Sequence, residues 1–400
     1  MSPHTEGAAA APSPGRALAP DLARGFMLLF IALVNAQFFL TGPDPVRSLA
    51  DQAVTVVQTT LVSARAIPLF AFLFGYGMVR IAHRVREGGG GWIHVRVLLR
   101  RRGWVMLVIG FAHGVLLLPV DIVGAYGLAL LLFLGLVRAR DTTLLWAAGL
   151  LAAGSTALLT ALTVLLAGAE GETSVDALSL AEGDFWLATA ERLQEWLLHT
   201  PFTMLTVALP MIVLGVWAGR RRVLEEPGEH RVLLVRTAVL GLGLGVTAGL
   251  PSALVYAEVW TGLSPLAEGL LAVLHEAAGW GGGLGWAALI TLFAARLGTR
   301  RGAAVTAVAA VGQRSLTCYL AQSVMFTLVF APYAAGLGAS LGTTGAAGVA
   351  VATWLATVVL ADGLRRSGRR GPAETLLRRL TYAGTSHSPA PWRGSLGGGA

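Results

Sequence analysis

The sequence contains no lysine, so all 30 of its basic side chains are arginines, and it has one cysteine, Cys318. A single thiol can neither close an internal disulfide nor build a thiolate metal centre. Charge is scarce: 13% of the 400 residues are charged, against roughly 25% in soluble domains. That shortage excludes an ordinary soluble enzyme, a disordered protein and a secreted disulfide scaffold, because a hydrated surface cannot be assembled from so few charges.

What the chain does have is apolar residues, 55% by count, with a mean hydropathy of +0.67. The class implied is a polytopic membrane protein, all-α, with lipid as its surroundings. The missing lysine, the 51 glycines and the abundant alanine suit a GC-rich bacterial genome, and hence a bacterial plasma (inner) membrane. A formal charge of +8 would suit nucleic acid. The arginines, however, sit in short clusters between apolar runs, where they act as topology signals, so no nucleic-acid partner is expected.

A spanning helix needs about 20 largely apolar residues. About ten stretches qualify: 24–42, 54–80, 104–120, 123–138, 143–167, 200–219, 232–256, 278–296, 314–336 and 343–362. Arginine clusters follow the second, fourth, sixth, eighth and tenth. Placing these inside leaves only Arg47, Arg65 and Arg192 of the 30 arginines elsewhere, which puts both termini in the cytoplasm. Residues 1–20 and 384–400 are expected as disordered cytoplasmic tails around a single transmembrane domain, 21–383. An acidic outer loop, 168–199, carries Glu170, Glu172, Asp176, Glu182, Asp184, Glu191 and Glu195. Its stretch Phe185 to Leu198 has helical spacing and is expected along the outer interface. Segment 258–280 fits either an outer amphipathic helix or a re-entrant piece. The glycine run at 241–245 lies mid-span without a preceding strand, so it implies close helix packing rather than a nucleotide site.

Polar side chains inside a span cost several kcal/mol unless paired or hydrated, so each marks a functional cavity or a structural lock. Arg24 and Asn35 are eleven residues apart, about 1100° or roughly 20° past three turns, and therefore share one face of the first span. They serve either as a snorkelling anchor and an interhelical hydrogen bond or as site residues. Arg65 lies inside the second span just before Pro68, which would loosen the helix. Its permanent charge requires a carboxylate, a carbonyl or an anionic ligand. His113 falls near the midplane of the third span and is the natural proton acceptor near neutral pH. Asp121 is eight residues on, about 12 Å further out and about 80° round, so it is not expected to orient the same ring directly. Pairing with Arg65 is its alternative. Ser315, Tyr319 and Gln322 form a polar stripe, with Arg314 at its mouth. The stripe either lines a cavity or binds a neighbouring helix. The eight histidines are scattered, and no metal site is expected.

Five motifs occur in order along the chain: RGFMLLFIALVN from Arg24 to Asn35, RAIPLFAFLFGYG from Arg65 to Gly77, a stretch from Arg102 through Gly110, His113 and Asp121 to Tyr126, GQRSLTCYLAQS from Gly312 to Ser323, and GPAETLLRRLTY from Gly371 to Tyr382. Together they resemble the YeiB-like family of bacterial polytopic membrane proteins, whose members carry a C-terminal domain of unknown function, here about 220–383. That family is distantly similar to integral-membrane acyltransferases, many of which place a histidine about ten residues after an arginine in the first span. Asn35 stands at the comparable position here, and this departure removes the expected base from that span. The resemblance to the lysosomal glucosaminide acetyltransferase branch implies that asparagine is tolerated there and that a histidine elsewhere serves, with His113 as the candidate.

The resemblance implies transfer of an acyl group from cytoplasmic acyl-CoA to a hydroxyl or amine of a small molecule or glycan at or across the membrane. Arg24, Arg314 and Arg101 or Arg102 would hold the donor phosphates. His113 would be the base, and Asn35 or Tyr319 would donate to the oxyanion. Arg65, Asp121 and Gln322 complete the expected substrate-binding set. A different class fits the same residues: a transporter or exporter whose pathway is lined by Arg65, His113, Asp121 and the Tyr319 stripe. A noncatalytic accessory protein holding lipid is the third possibility. Oligomeric state has no signature in the sequence.

Overall fold

The computed structural model of the chain describes residues 17–46, 48–167, 178–298 and 301–383. Among these residues there are fourteen α-helices and no strands. Glu170, Glu172 and Asp176 of the acidic loop, and the terminal segments 1–16 and 384–400, lie outside the described residues. Seven helical stretches are long and apolar enough to cross a membrane. They are Leu18–Phe38, Leu49–Glu87, Asp141–Leu166, Phe185–Arg220, Arg231–Tyr256, Pro265–Leu297 and Thr343–Arg366. Three shorter apolar stretches, Ile122–Arg138, Ala303–Gln313 and Ser315–Phe330, accompany them.

Helix α1 (Leu18–Phe38) begins inside the segment expected as a tail and packs against α11 (Ala303–Gln313) and α13 (Thr343–Arg366). The second expected span is broken in two. Helix α2 (Leu49–Leu61) ends, Ala64 takes a positive φ of 59°, and α3 (Ala66–Glu87) starts with Pro68 in its first turn. First-turn amides have no intrahelical acceptor, so the proline opens α3 rather than loosening it.

Helix α4 (Trp92–Leu116) crosses α5 (Ile122–Phe133) closely, and α6 (Asp141–Leu166) lies at the rim. Trp146 and Leu165 of α6 are 73% and 74% exposed. A helix that is apolar all round yet so little covered faces lipid.

The stretch expected to lie flat on the outer interface instead enters the bundle. Helix α7 (Phe185–Thr203) continues through a π-helical turn, Met204–Ala208, into α8 (Leu209–Arg220). Arg192 and Trp196 are buried on it, and α7 packs on α4 and α5. Apolar cover on several faces draws α7 inward, where a one-sided interfacial helix would stay out. Pro210 has no N–H to give the carbonyl four residues back, and Ser155 of α6 donates to that Thr206 carbonyl at 2.8 Å. Trp280 likewise supplies the Val207 carbonyl at 3.2 Å.

Segment 258–280 is neither a re-entrant piece nor a surface helix. Pro265 opens the 33-residue α10 (Pro265–Leu297), which runs antiparallel beside α9 (Arg231–Tyr256). Their glycines let the backbones approach as expected: a Cβ on Gly241 would lie 2.3 Å from the Gly281 carbonyl oxygen. Helix α11 meets α12 (Ser315–Phe330) at Arg314, where the backbone leaves helical geometry, so the ninth expected span is kinked at its mouth.

The arginine-rich loops gather at one end. Arg220 donates to the Val137 carbonyl at 2.8 Å and pairs with Asp141 at 3.1 Å. Glu225 accepts from Tyr76 at 3.2 Å and pairs with Arg80. The hydrogen bond from Arg222 to Glu225 holds that guanidinium above its ordinary value. Helix α14 (Pro372–Tyr382) closes this end through a reciprocal cap. Glu374 accepts the Leu316 and Thr317 amides of α12 at 2.8 and 3.0 Å, and the Thr317 hydroxyl accepts the Ala373 amide at 3.1 Å.

Candidate functional site

Pro119 cannot continue α4, whose last hydrogen bond ties the Leu117 amide to the His113 carbonyl at 2.9 Å. The chain reverses over 117–120, and Asp121 becomes the N-cap of α5 in extended conformation, accepting from Val123 at 3.1 Å and Gly124 at 2.5 Å. The turn returns the carboxylate to the level of His113, and Asp121 Oδ1 lies 2.9 Å from His113 Nδ1. The expectation that Asp121 could not orient this ring, which assumed a continuous helix, is therefore overturned. So is its pairing with Arg65.

The other ring nitrogen, Nε2, lies 2.8 Å from Ser323 Oγ of α12. The side chains of His113 and Asp121 are fully buried, and Ser323 is 0% exposed. The Val123 and Gly124 amides donate to the two Asp121 oxygens, so Oδ1 faces His113 Nδ1 as an acceptor. That arrangement favours the tautomer with the proton on Nδ1, in which an Nε2 lone pair of the neutral ring faces the serine hydroxyl. Small residues make the approach possible. A Cβ on Gly110 would lie 2.2 Å from the Gly124 nitrogen and 2.3 Å from Asp121 Oδ2, and one on Gly114 would meet Trp196 at 2.0 Å.

Around this relay stand polar groups without partners. The Tyr319 ring lies 4.8 Å from the His113 ring. The Tyr319 hydroxyl, both amide heteroatoms of Gln322 and the Trp196 indole nitrogen are buried with no hydrogen bond. On the side of the α4 C-terminus, Arg192 donates to the Leu116 carbonyl at 3.0 Å and the Tyr333 hydroxyl at 2.6 Å, closing the α4 end.

Arg65 belongs to a different cluster. It donates to the Thr59 and Ser63 carbonyls at 3.0 and 2.5 Å, to the Gly245 carbonyl, and to His275 at 3.1 Å. Its fork stitches the α2–α3 break to α9 and α10, and a Cβ on Gly249 would collide with it. Arg24 pairs with Asp21 at 3.5 Å and reaches the Leu73 carbonyl, while Gln313 holds Asp21 at 3.0 Å. Arg314 donates to the Ala310 and Arg369 carbonyls at 3.3 and 2.6 Å. Asn35 is buried on α1, and no hydrogen bond ties it to the relay among the described residues. The amides linked near it are Gln37 and Gln58, and the Leu33 carbonyl accepts from Gln58 at 2.7 Å. The structure thus joins His113, Asp121 and Tyr319, with Gln322 adjacent in sequence, and assigns the arginines to carbonyls and carboxylates of the protein.

The residue that sequence reasoning missed is Ser323. A signal existed, since it follows Tyr319 by four residues and extends the same polar stripe, but a serine on an apolar helix is ordinarily a back-bonded hydroxyl.

The molecule is thus a helical protein with several membrane-length apolar helices and a buried carboxylate–imidazole–hydroxyl relay. Its residues 218–384 match the family model described as "Protein of unknown function (DUF418)". Over 396 residues it is 25% identical to the uncharacterized protein YxaH of Bacillus subtilis (strain 168), covering 90% of this chain and 93% of that one. It is also 36% identical over 93 residues to an uncharacterized 39.9 kDa protein in the amylase 3' region of Bacillus acidopullulyticus, covering 23% and 26% of the two chains. Ser323, Tyr319 and Gln322 fall inside the matched family segment, whereas His113 and Asp121 lie before it.

Proposed function

We propose that this protein is an integral-membrane acyltransferase that moves an acyl group from cytoplasmic acyl-CoA to a hydroxyl or amine of a small molecule or glycan. The observation that carries the reading is the commitment of His113: one nitrogen bound to a carboxylate, the other 2.8 Å from a hydroxyl. A histidine held in this way can take a proton from a nucleophile and return it to a leaving group. Tyr319 and Gln322 supply the unpartnered donors that an oxyanion needs, the role first considered for Asn35. The donor's phosphates would meet the arginine-rich end, where Arg370, Arg378 and Arg379 line a cleft of about 310 Å³. In this reading the three shorter apolar stretches and α4 complete about ten crossings in a bacterial plasma membrane, with both termini inside.

The test is radiolabelled acetyl-CoA presented to purified protein in proteoliposomes, with a panel of sugar and amine acceptors. Acyl transfer by wild type and its loss in His113→Gln, with unchanged yield and unfolding temperature, is expected. Substrate counterflow without any acyl transfer would replace this reading by transport. Reporter fusions at both termini test the orientation, and an outside signal from either end would reverse it.

A further inference from the structure

The hydroxyl at His113 belongs to the protein, and its hydrogen bonding differs from that of most threonine hydroxyls in these helices. Threonines on the apolar helices donate to the carbonyl four residues back: Thr156, Thr160, Thr189, Thr206 and Thr291 do so at 3.0, 2.8, 2.7, 2.7 and 2.7 Å. That back-bond is the ordinary resting place of a hydroxyl in a helix surrounded by apolar groups. Ser323 keeps only a long back-bond, 3.4 Å, to the corresponding Tyr319 carbonyl and lies 2.8 Å from His113 Nε2, so its hydroxyl is placed between its own helix and the imidazole.

Direction follows from Asp121. With the two α5 amides donating to Asp121, its oxygen faces Nδ1 as an acceptor; a neutral ring protonated at Nδ1 accepts at Nε2, and the Ser323 hydroxyl donates there in exchange for its long back-bond. A hydroxyl donating to a carboxylate-held imidazole is an activated nucleophile. Buried donors without partners accompany it, Tyr319 four residues before and the Gln322 amide directly before. Ser323 also lies eight residues into α12, about 12 Å along the axis from its arginine-rich end.

From this geometry we infer that Ser323 is a covalent nucleophile that carries the acyl group as an ester between donor and acceptor. The inference rests on the acyl-transfer reading for its donor but not for its nucleophile. In the first half-reaction Ser323 Oγ attacks the thioester carbonyl carbon as His113 Nε2 takes the hydroxyl proton. The carbon–sulfur bond breaks, and the CoA sulfur leaves as thiol with that proton. In the second, an acceptor hydroxyl or amine gives a proton to His113 and attacks the ester carbonyl. Ser323 Oγ departs and regains its proton. Asp121 holds the Nδ1 side of the ring throughout, Tyr319 and Gln322 donate to the carbonyl oxygen while it bears charge, and no oxidant or further reactant is consumed.

The experiment uses full-length protein in detergent or nanodiscs with two probes. The first is a fluorophosphonate, which reports an activated serine without reference to acyl-CoA. The second is acetyl-CoA without acceptor, read by peptide mass spectrometry and CoA release. Wild type is expected to label at Ser323 with the phosphonate, and to release a burst of one CoA per protein while an acetyl ester accumulates on the same peptide. Ser323→Ala should lose both, and His113→Gln should slow both at least a hundredfold. Because alanine leaves a buried imidazole unpaired, Ser323→Cys in a Cys318→Ala background serves as the second variant. It should still take the acetyl group, now as a hydroxylamine-labile thioester.

Phosphonate labelling of Ser323 with no acyl-CoA turnover would uphold the nucleophile and remove the proposed donor. Transfer by Ser323→Ala at the wild-type rate would remove the nucleophile and leave acyl transfer by direct attack. Absence of labelling by either probe in wild type overturns the inference.

Discussion

Asp121 has two tasks that a single substitution separates, because it caps α5 and holds the His113 ring. Asparagine caps a helix nearly as well as aspartate, so the fold should survive Asp121→Asn. The amide, however, has one acceptor oxygen where Asp121 has two, so when that oxygen caps α5 the N–H₂ group faces the ring and no longer holds its tautomer. Acyl transfer should fall roughly 10²–10⁴-fold, with the thermal unfolding midpoint little changed. A wild-type rate in the purified variant would mean that His113 works without its carboxylate. Arg65 presents the opposite case. Its donors satisfy three carbonyls and His275, and its role is to hold the α2–α3 break against α9 and α10. Arg65→Leu should cost about 1–3 kcal/mol for each buried acceptor left unpaired, seen as a lowered unfolding midpoint. Arg65→Lys should rescue little, because one ammonium cannot reproduce the fork. Turnover per folded molecule is expected to change far less than for Asp121→Asn, and a selective loss of substrate affinity would restore the binding role expected from the sequence.

At the scale of elements, two kinds of glycine should respond oppositely to alanine. Gly110 sits where α4 crosses α5, with backbone 2.2 Å from the position of an added Cβ, so Gly110→Ala must push the helices apart and draw Asp121 away from His113. Both the unfolding midpoint and acyl transfer should drop. Gly149 and Gly154 lie within α6 with nothing inside 4 Å, and alanine there removes only backbone freedom. Each should gain about 0.5–1 kcal/mol, read as a rise in midpoint with transfer unaffected. Most helices were legible from apolar length alone. The exceptions share a cause: the breaks at Ala64 and Arg314 and the turn at 117–120 are backbone events inside or beside apolar runs, where hydropathy does not change. Pro119 was the visible warning for the last of these. Pro68 was misleading, since a proline in a first turn starts a helix as readily as another ends one. The helix from Phe185 was legible in its spacing, but its continuity with the span that follows was hidden by its charged residues, of which Arg192 finds its partners, Leu116 and Tyr333, only in the fold.

For the whole molecule, the rim position of α6 predicts contact with lipid along nearly its full length. Nitroxides placed at Trp146→Cys, Leu150→Cys and Leu158→Cys should be relaxed by lipid-dissolved oxygen and shielded from aqueous nickel. A label at Ser155, which binds the Thr206 carbonyl, should be shielded from both. Shielding from oxygen at the first three would place another protein surface against α6. The relay draws on both parts of the chain, with His113 and Asp121 from the first half and Ser323 from the segment that matches the family of unknown function.

Helical content and the presence of several membrane-length apolar segments were determined by composition and linear pattern, because length and apolarity are additive along a chain. The candidates His113, Asp121 and Tyr319 could be named for a similar reason: a polar group among apolar neighbours is conspicuous at any position. Which of them would meet was decided only in three dimensions. Helical angles can be extrapolated only while the helix lasts, and α4 stops at Leu116, so the turn after it reverses the computed direction of Asp121. The partners that matter most, Ser323 for His113 and His275 for Arg65, each lie 210 residues away, and only the tertiary fold, which brings side chains of α12 to His113 and α10 to the α2–α3 break, joins them.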